Sequence, residues 1–285
     1  MDKLLQGAYD LHIHTSPDVT SRKCSDLEAA RRMLAAGMAG GAIKCHYLDT
    51  AARAALLREQ FPQLDIVGGI VLNRSVGGLN PDAVERTAQA GGKLVWFPTL
   101  EAREYQRYHH RAEPEADLSR FVPVCGEDGK LLPAALDVLD AAAQYQLVVG
   151  TGHIGPHEGM ALVRECTHRS CQMVLTHADN PADRYTLEQQ VEAVRLGAMV
   201  EHCFFTTYYD RTPIEEISRQ IRAVGCENVL LTTDFGQPES PCFDEGLSRY
   251  AHLLLEQGFT EKELRQMLHD NPARIISQAN NRDIF

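Results

Sequence analysis

Short apolar runs alternate along this chain with segments of helical pattern, and this alternation limits the fold more than any other feature of the sequence. Each run is rich in Val, Ile and Leu and almost continuously apolar, which is typical of strands covered on both faces, as in a parallel sheet. The sequence predicts eight strands of this kind, at 9–15, 41–47, 65–72, 93–99, 147–153, 173–177, 198–204 and 229–234.

The segments between these strands carry the start and stop signals of helices. Ser25-Asp-Leu-Glu has the pattern of a capping box, and Gly37 ends the helix that it begins. The remaining predicted helices occupy 51–60, 81–90, 132–144, 157–169, 187–196, 214–224 and 246–257. Eight strand–helix pairs in a chain of this length predict an α/β fold, the (β/α)8 TIM barrel, as a single domain over residues 1–285. An open doubly wound sheet fits the alternation too, but no GxGxxG follows the first strand.

Composition restricts the partners. The formal net charge of −11 argues against nucleic acid or an anionic membrane as a partner, and no apolar run approaches the roughly 20 residues of a membrane span. The eight cysteines are scattered without a CxxC pair, and the first residues lack the pattern of a secretory signal. We therefore expect a cytoplasmic protein with a small-molecule substrate, and the sequence leaves a homo-oligomer open.

One segment, residues 100–130, departs from the alternating pattern. It is long, polar and charged, and it follows the fourth predicted strand. Loops longer than about 15 residues are usually functional or mobile. The sequence predicts a lid over the barrel mouth here, with a solvated excursion as the alternative.

Histidines stand where barrel strands deliver residues to an active face. His12 and His14 end the first strand and, two residues apart, point to the same side. His153, His177 and Asp234 end the fifth, sixth and eighth strands, and His202 lies within the seventh. Imidazoles combined with a carboxylate suit zinc, or manganese or iron, better than calcium. We therefore predict a divalent metal site at the carboxyl ends of the strands.

This ordered set, His12-Ile-His14, His153, His177 and Asp234, resembles the amidohydrolase superfamily, and Asn271-Pro-Ala-Arg looks like the end of many of its members. Within the superfamily the chain looks most like a little-characterised branch that carries Asn-Arg-Ser-Val-Gly-Gly-Leu-Asn-Pro after the third strand. The resemblance implies a metal-dependent hydrolase with one or two ions.

The fourth strand departs from the commonest pattern of that superfamily, which takes a bridging carboxylated lysine from this strand. Here Lys93 lies at the wrong, N-terminal end of the strand. Either the site holds a single ion, or the second strand supplies a carboxylated Lys44, as some superfamily members take a bridging ligand from that strand. An ion pair of Lys44 with Asp10 or Asp234 is the structural alternative.

The expected reaction is hydrolysis of an amide, cyclic amide or lactone by water that the ion activates. Asp234 is the expected general base. His177 is a ligand or orients the water, and His202 stabilises the developing oxyanion or packs beneath the site. A decarboxylase of the same superfamily and a non-catalytic metal-binding barrel are the alternative functions.

Substrate contacts are expected from four residues. His46 shares a strand face with Lys44 and either supports the site or touches the substrate. Asn73 and Arg74 begin the third strand–helix loop, where Arg74 offers a fork to a carboxylate and an ion pair with a loop acid is its alternative. Tyr105, in the long segment, is expected to close over the substrate.

Overall fold

A computed structural model describes residues 2–113 and 115–278 of the chain. The strands are β1 (Tyr9–His14), β2 (Gly40–Lys44), β3 in two parts (Asp65–Val67 and Gly69–Val71), β4 (Leu94–Trp96), β5 (Val148–Gly150), β6 (Gln172–Leu175), β7 (Met199–Cys203) and β8 (Val229–Thr232). Each strand pairs in parallel with the next, and Gly68 interrupts β3. All eight predicted strands are present, although most are shorter than the apolar runs.

The barrel closes between its first and last strands. The amide of Asp234 donates to the carbonyl of His12 at 2.8 Å, and the amide of His14 donates to the carbonyl of Phe235 at 2.8 Å. These two hydrogen bonds join the end of β8 to β1 and complete the ring. The predicted (β/α)8 barrel is confirmed.

Helices surround the barrel in the predicted order. They are α1 (Asp26–Ala36), α2 (Ala51–Gln60), α3 (Pro81–Gln89), α4 (Arg103–His109), α5 (Pro133–Gln144), α6 (Pro156–Arg169), α7 (Leu187–Arg195), α8 (Phe204–Tyr208), α9 (Ile214–Val224), α10 (Phe243–Glu256), α11 (Glu261–Arg265) and α12 (Asn271–Gln278). A π-helical turn, Gln266–Asp270, joins the last two helices, and short 3₁₀ turns lie at Lys3–Leu5, Arg74–Val76 and Cys226–Asn228. In the described residues no helix is long and apolar enough to cross a membrane.

The segment 100–130 is more ordered than a loop. It contains α4 and two short β-bridges, Ala102 with Val122 and Cys125 with Leu131. Its own backbone pairing thus holds the segment together, and its role as a lid stays a prediction.

Apolar side chains fill the lower part of the barrel. Leu11, Leu94, Val148 and Leu230 meet there, and the C-terminal helix α12 packs against them with Ile275 and Ile276. Burial of this layer leaves only the upper end of the barrel for polar groups. The site therefore lies at the carboxyl ends of the strands, where TIM-barrel active sites are found.

Candidate metal centre and active site

A local irregularity in β1 aims both of its histidines into the barrel. The pairing of β1 with β2 shifts register between Asp10 and Ile13, so Leu11 and His12 both face the interior. His12 and His14 are almost completely buried, and their ring centres lie 5.5 Å apart. Asp10 turns instead toward β8, where its carboxylate accepts hydrogen bonds from the amide and hydroxyl of Thr233.

Asp234 joins these two histidines. Its Oδ1 lies 3.1 Å from Nε2 of His12 and 3.1 Å from Nε2 of His14. Three potential metal-binding atoms from β1 and the end of β8 thus converge on one point. Asp234 has a backbone φ of +55°, and this left-handed conformation costs a non-glycine residue about 1–3 kcal/mol. Such strain is common where a side chain must be aimed at a functional site.

His153 and His177 face this cluster from the other side of the mouth. Their ring centres are 4.8 Å apart, and the ring of His177 is 6.0 Å from that of His12. Oδ2 of the buried Asp183 lies 3.0 Å from Nδ1 of His177. The structure therefore brings together all five predicted metal ligands other than Lys44.

Lys44 reaches the same point from β2. Its side chain is fully buried, and Nζ lies 2.9 Å from Nε2 of His12 and 5.1 Å from the ring centre of Trp96. Burial lowers the pKa of Lys44. Among the described residues, no carboxylate oxygen lies within ion-pair distance of Nζ, so the alternative ion pair with Asp10 or Asp234 is wrong. Asp10 faces β8 instead.

His46 and Asn73 form the supporting wall of the site. The ring of His46 stacks on that of His14 with centres 4.6 Å apart, and Nδ1 of His46 lies 2.8 Å from the hydroxyl of Thr99. Asn73 donates to the carbonyl of His46 and to Thr99, and its Oδ1 accepts from the amides of Thr99 and Glu101. Because these bonds use all the polar atoms of a fully buried side chain, Asn73 has no capacity to bind a substrate, and that expectation is corrected.

The direction of β7 also differs from the expectation. Glu201 and Cys203 face the barrel interior, so His202 faces the helices, where its Nδ1 lies 3.0 Å from Oδ1 of Asp179. His202 does not contact the metal ligands, and the expected oxyanion role is corrected because the alternation of the strand turns the ring outward.

Glu201 is a functional candidate that the sequence analysis missed. Its carboxylate lies 3.2 Å from Nδ1 of His12 and accepts hydrogen bonds from the amide of His177 and the hydroxyl of Thr232. A metal-binding histidine usually donates its second ring N–H to such a carboxylate. A glutamate inside a strand predicted to be buried was the available signal, because a buried carboxylate is costly unless it has partners.

Tyr105 belongs to the site, whereas Arg74 stands apart from it. Helix α4 lays the ring of Tyr105 4.8 Å from that of His153, and burial raises the pKa of the phenol. The side chain of Arg74 is 54% exposed and lies 3.9 Å from Glu101. The alternative expectation, an ion pair of Arg74 with an acidic residue of a loop, therefore fits its position beside Glu101.

The electrostatic state of the cluster fits a divalent cation. Burial lowers the pKa of His14 to about 3 and holds those of His46 and His153 well below the usual range, so these three rings are neutral. Burial also disfavours a charged His12, but the carboxylates of Asp234 and Glu201 outweigh it and raise the pKa of His12 to about 9. A positive charge is thus favoured between His12 and Asp234.

Unpaired nitrogen atoms support the same interpretation. In the part of the chain that the structure describes, Nδ1 of His14, Nδ1 of His153 and Nε2 of His177 are buried without a hydrogen-bond partner. Buried polar atoms without a partner are costly, and a bound ion removes that cost for the nitrogens that it contacts. Histidine nitrogens with one carboxylate are a donor set for zinc, manganese or iron.

Comparison with solved structures gives the class of fold. An amidohydrolase from Pseudomonas aeruginosa matches with a TM-score of 0.66 and 13% identity over 98% of both chains. An organophosphorus hydrolase from Deinococcus radiodurans matches with a TM-score of 0.61 and 15% identity, over 96% of this chain and 93% of that chain. A 2,6-dihydroxybenzoate decarboxylase from Rhizobium matches with a TM-score of 0.59 and 12% identity, over 95% of this chain and 99% of that chain. The fold is that of the amidohydrolase superfamily, as the sequence resemblance implied, and its relatives in fold include both hydrolases and decarboxylases.

The narrower family follows from the sequence itself. Residues 7–201 match the model of a family of unknown function, DUF6282, and the chain belongs to this family. No curated protein matches the chain.

Proposed function

We propose that this chain is a metal-dependent hydrolase that opens an amide, cyclic amide or lactone bond in a small substrate. The observation that carries the proposal is the convergence of His12, His14 and Asp234 at 3.1 Å contacts in the barrel mouth, with His153 and His177 opposite. A purely structural ion has no need of a base, so Asp234 at this point supports catalysis over a non-catalytic barrel.

In this proposal, His12, His14, His153 and Asp234 hold the ion, and His177 is a further ligand or orients the water. We propose that the ion is zinc, with manganese or iron as alternatives. A bound ion of this kind polarises a carbonyl oxygen and acidifies water near pH 7. The enzyme is cytoplasmic, and its partner is a small molecule and neither nucleic acid nor membrane.

Asp234 moves the proton in the proposed reaction. Burial disfavours its charged form, but His12 and His14 outweigh that effect and hold the pKa of the carboxyl well below its usual range, so the group is ionised, the form that a general base needs. It takes one from the attacking water and gives it to the leaving nitrogen or oxygen. In this proposal Tyr105 and His46 line the substrate side.

In this proposal, the chemical state of Lys44 determines whether the site holds one metal ion or two. A neutral lysine amine adds to carbon dioxide to form a carbamate and releases one proton, which converts a nitrogen donor into a two-oxygen anionic bridge. The buried amine, 2.9 Å from His12, is positioned to hold a second ion in this form. Without the modification, the site holds one ion and His177 orients the water.

The alternative reaction is decarboxylation, which is favoured by one observation, the similarity in fold to a dihydroxybenzoate decarboxylase. The two reactions leave different products. Hydrolysis opens a ring or releases an acid, whereas decarboxylation releases carbon dioxide from an aromatic or unsaturated acid.

The deciding experiment combines metal analysis with a substrate screen. Elemental analysis of the purified protein should find zinc, manganese or iron, and a chelator should remove activity that the metal restores. The screen should pair cyclic amides and lactones, read by ring opening, with aromatic acids, read by released carbon dioxide. A protein that binds none of these metals and gains no activity from them refutes the proposal.

A further inference from the structure

The loop between β1 and α1, residues 15–25, runs beside the histidine cluster. The amide of Lys23 donates to the carbonyl of Gly236 at 2.8 Å, and its Nζ donates to the carbonyl of Pro238 at 3.0 Å. Gly236 lies so close to His14 that a Cβ on it would stand 2.0 Å from the His14 carbonyl oxygen. The loop is therefore fastened to the chain that follows β8 at the rim of the site.

Arg22 lies in this loop with its guanidinium held in one orientation. Its Nε donates to Oδ2 of Asp18 at 2.6 Å, and only 7% of the Arg22 side chain is exposed. The side chain of Asp18 is fully buried, and its Oδ1 accepts from the Val19 amide and the Cys45 thiol. Asp18 thus fixes one edge of the guanidinium fork.

The other edge of that fork has no protein partner. Among the described residues, neither terminal nitrogen of Arg22 makes a hydrogen bond or an ion pair, and neither is sealed in the interior. Arg53 is the contrast, because its Nε and Nη2 donate to Asp26 and its Nη2 also donates to Thr15. Lys23, the neighbour of Arg22, bonds Gly236, and Asp18, the partner of Arg22, accepts from the thiol of Cys45, the residue after Lys44, so the guanidinium of Arg22 lies at the rim of the site.

We propose that Arg22 binds a carboxylate of the substrate beside His14, which makes the substrate of this site a small carboxylic acid derivative. The proposal rests on the proposed function. An arginine fork matches the two oxygens of a carboxylate, and the pairing is strong where water is excluded. Arg74, the arginine that the sequence favoured for this role, is half-exposed and beside Glu101.

The test uses zinc-loaded full-length protein and matched hydroxamates as metal-directed probes. Propionohydroxamate is the neutral probe, and the monohydroxamates of malonic, succinic and glutaric acid add a carboxylate at three distances. The chain has a single tryptophan, Trp96, whose ring centre is 6.3 Å from that of His12, so its fluorescence reports occupancy of the site.

We expect at least one carboxylate-bearing probe to bind about 10- to 100-fold more tightly than the neutral probe, the gain of a hydrogen-bonded charge pair. Arg22→Gln should remove this gain and leave the affinity for propionohydroxamate unchanged, while Arg22→Lys should keep part of it. Arg74→Gln is the matched control and should keep all of it. Because Arg22→Gln leaves Asp18 buried without its cation, the double variant Asp18→Asn/Arg22→Gln checks that the loss does not come from unfolding.

The outcomes separate the two proposals. No gain at any chain length, or a gain that survives Arg22→Gln, overturns the role of Arg22 while leaving a metal enzyme in place. A gain in affinity that disappears in Arg74→Gln assigns carboxylate binding to Arg74, and this result also overturns the role of Arg22. Protein that takes up no zinc and binds no hydroxamate overturns the proposed function and, with it, this inference.

Discussion

Replacing Glu201 with glutamine tests whether this buried carboxylate prepares the metal site. Glu201 is 4% exposed and contacts three strands or strand ends: His12 in β1, the amide of His177 after β6 at 3.1 Å, and Thr232 in β8 at 3.0 Å. The contact to Nδ1 of His12 directs Nε2 of that ring toward Asp234 and Lys44, where the proposed ion would bind. The carboxylate thus selects the binding nitrogen of one ligand and positions the backbone of another.

The expected size of the effect follows from these contacts. Glutamine offers one acceptor oxygen where glutamate offers two, and its NH2 group meets the amide donor of His177 or the ring nitrogen of His12. Loss of one hydrogen bond to a charged acceptor costs about 1.5–3 kcal/mol of unfolding free energy. Loss of a carboxylate that supports a metal-binding histidine weakens metal affinity by about 10- to 100-fold.

Two measurements check this prediction. Zinc affinity is read from Trp96 fluorescence in competition with a chelator, and the free energy of unfolding from urea denaturation of the metal-free protein. Glu158→Gln is the matched control, because Glu158 is 6% exposed and accepts two backbone hydrogen bonds, from Val124 and Cys125, away from the histidines. Both bonds go to Oε1, which glutamine keeps, and Glu158→Gln should leave zinc affinity unchanged. Zinc affinity of Glu201→Gln within about twofold of the wild type would refute the reasoning.

Three further predictions concern the proposed chemistry. Asp234→Asn should lower turnover by about 10²-fold or more with the fold intact by circular dichroism, and near-normal turnover would exclude it as the base. Lys44→Ala should lose one of two ions and most activity, and bicarbonate should speed reconstitution of the wild type; a wild type that binds a single ion excludes the bridge. Tyr105→Phe should keep the contact with His153 and zinc affinity, whereas Tyr105→Ala should raise KM by about tenfold through the loss of packing over the substrate; an unchanged KM in Tyr105→Ala would remove Tyr105 from the substrate side.

Apolar runs and helix caps were sufficient to predict the barrel, because burial on both faces leaves few other choices for such strands. The cluster of His12, His14, His153, His177 and Asp234 was also predictable, since all five stand at or just beyond strand ends on one side of the barrel. These positions depend on strand order and direction, which the alternation of elements already determines.

Side-chain direction was less predictable, because it depends on the exact phase of each strand. In β7 the interior positions are those of Glu201 and Cys203, so the histidine between them is turned outward. Loop residues lack the two-residue alternation of a strand, so the sequence does not predict the direction of their side chains. Asn73 and Arg22 both lie in strand–helix loops, and the path of each loop places Asn73 in the supporting wall and Arg22 at the mouth.

The position of Lys44 follows from how the barrel interior is filled. Trp96 occupies the inward position of β4, and on the neighbouring β5 a Cβ at Gly150 would stand 2.5 Å from the indole, so glycine is needed there to admit the ring. A lysine on β4 would have to replace that indole. On the inward face of β2, Gly40 and Ala42 precede Lys44, and these small residues leave the lysine room to cross over Trp96 toward His12. The same packing that removes the usual lysine from the fourth strand thus makes room for one from the second, which is why the ion count of the wild type and of Lys44→Ala is the most informative single measurement on this site.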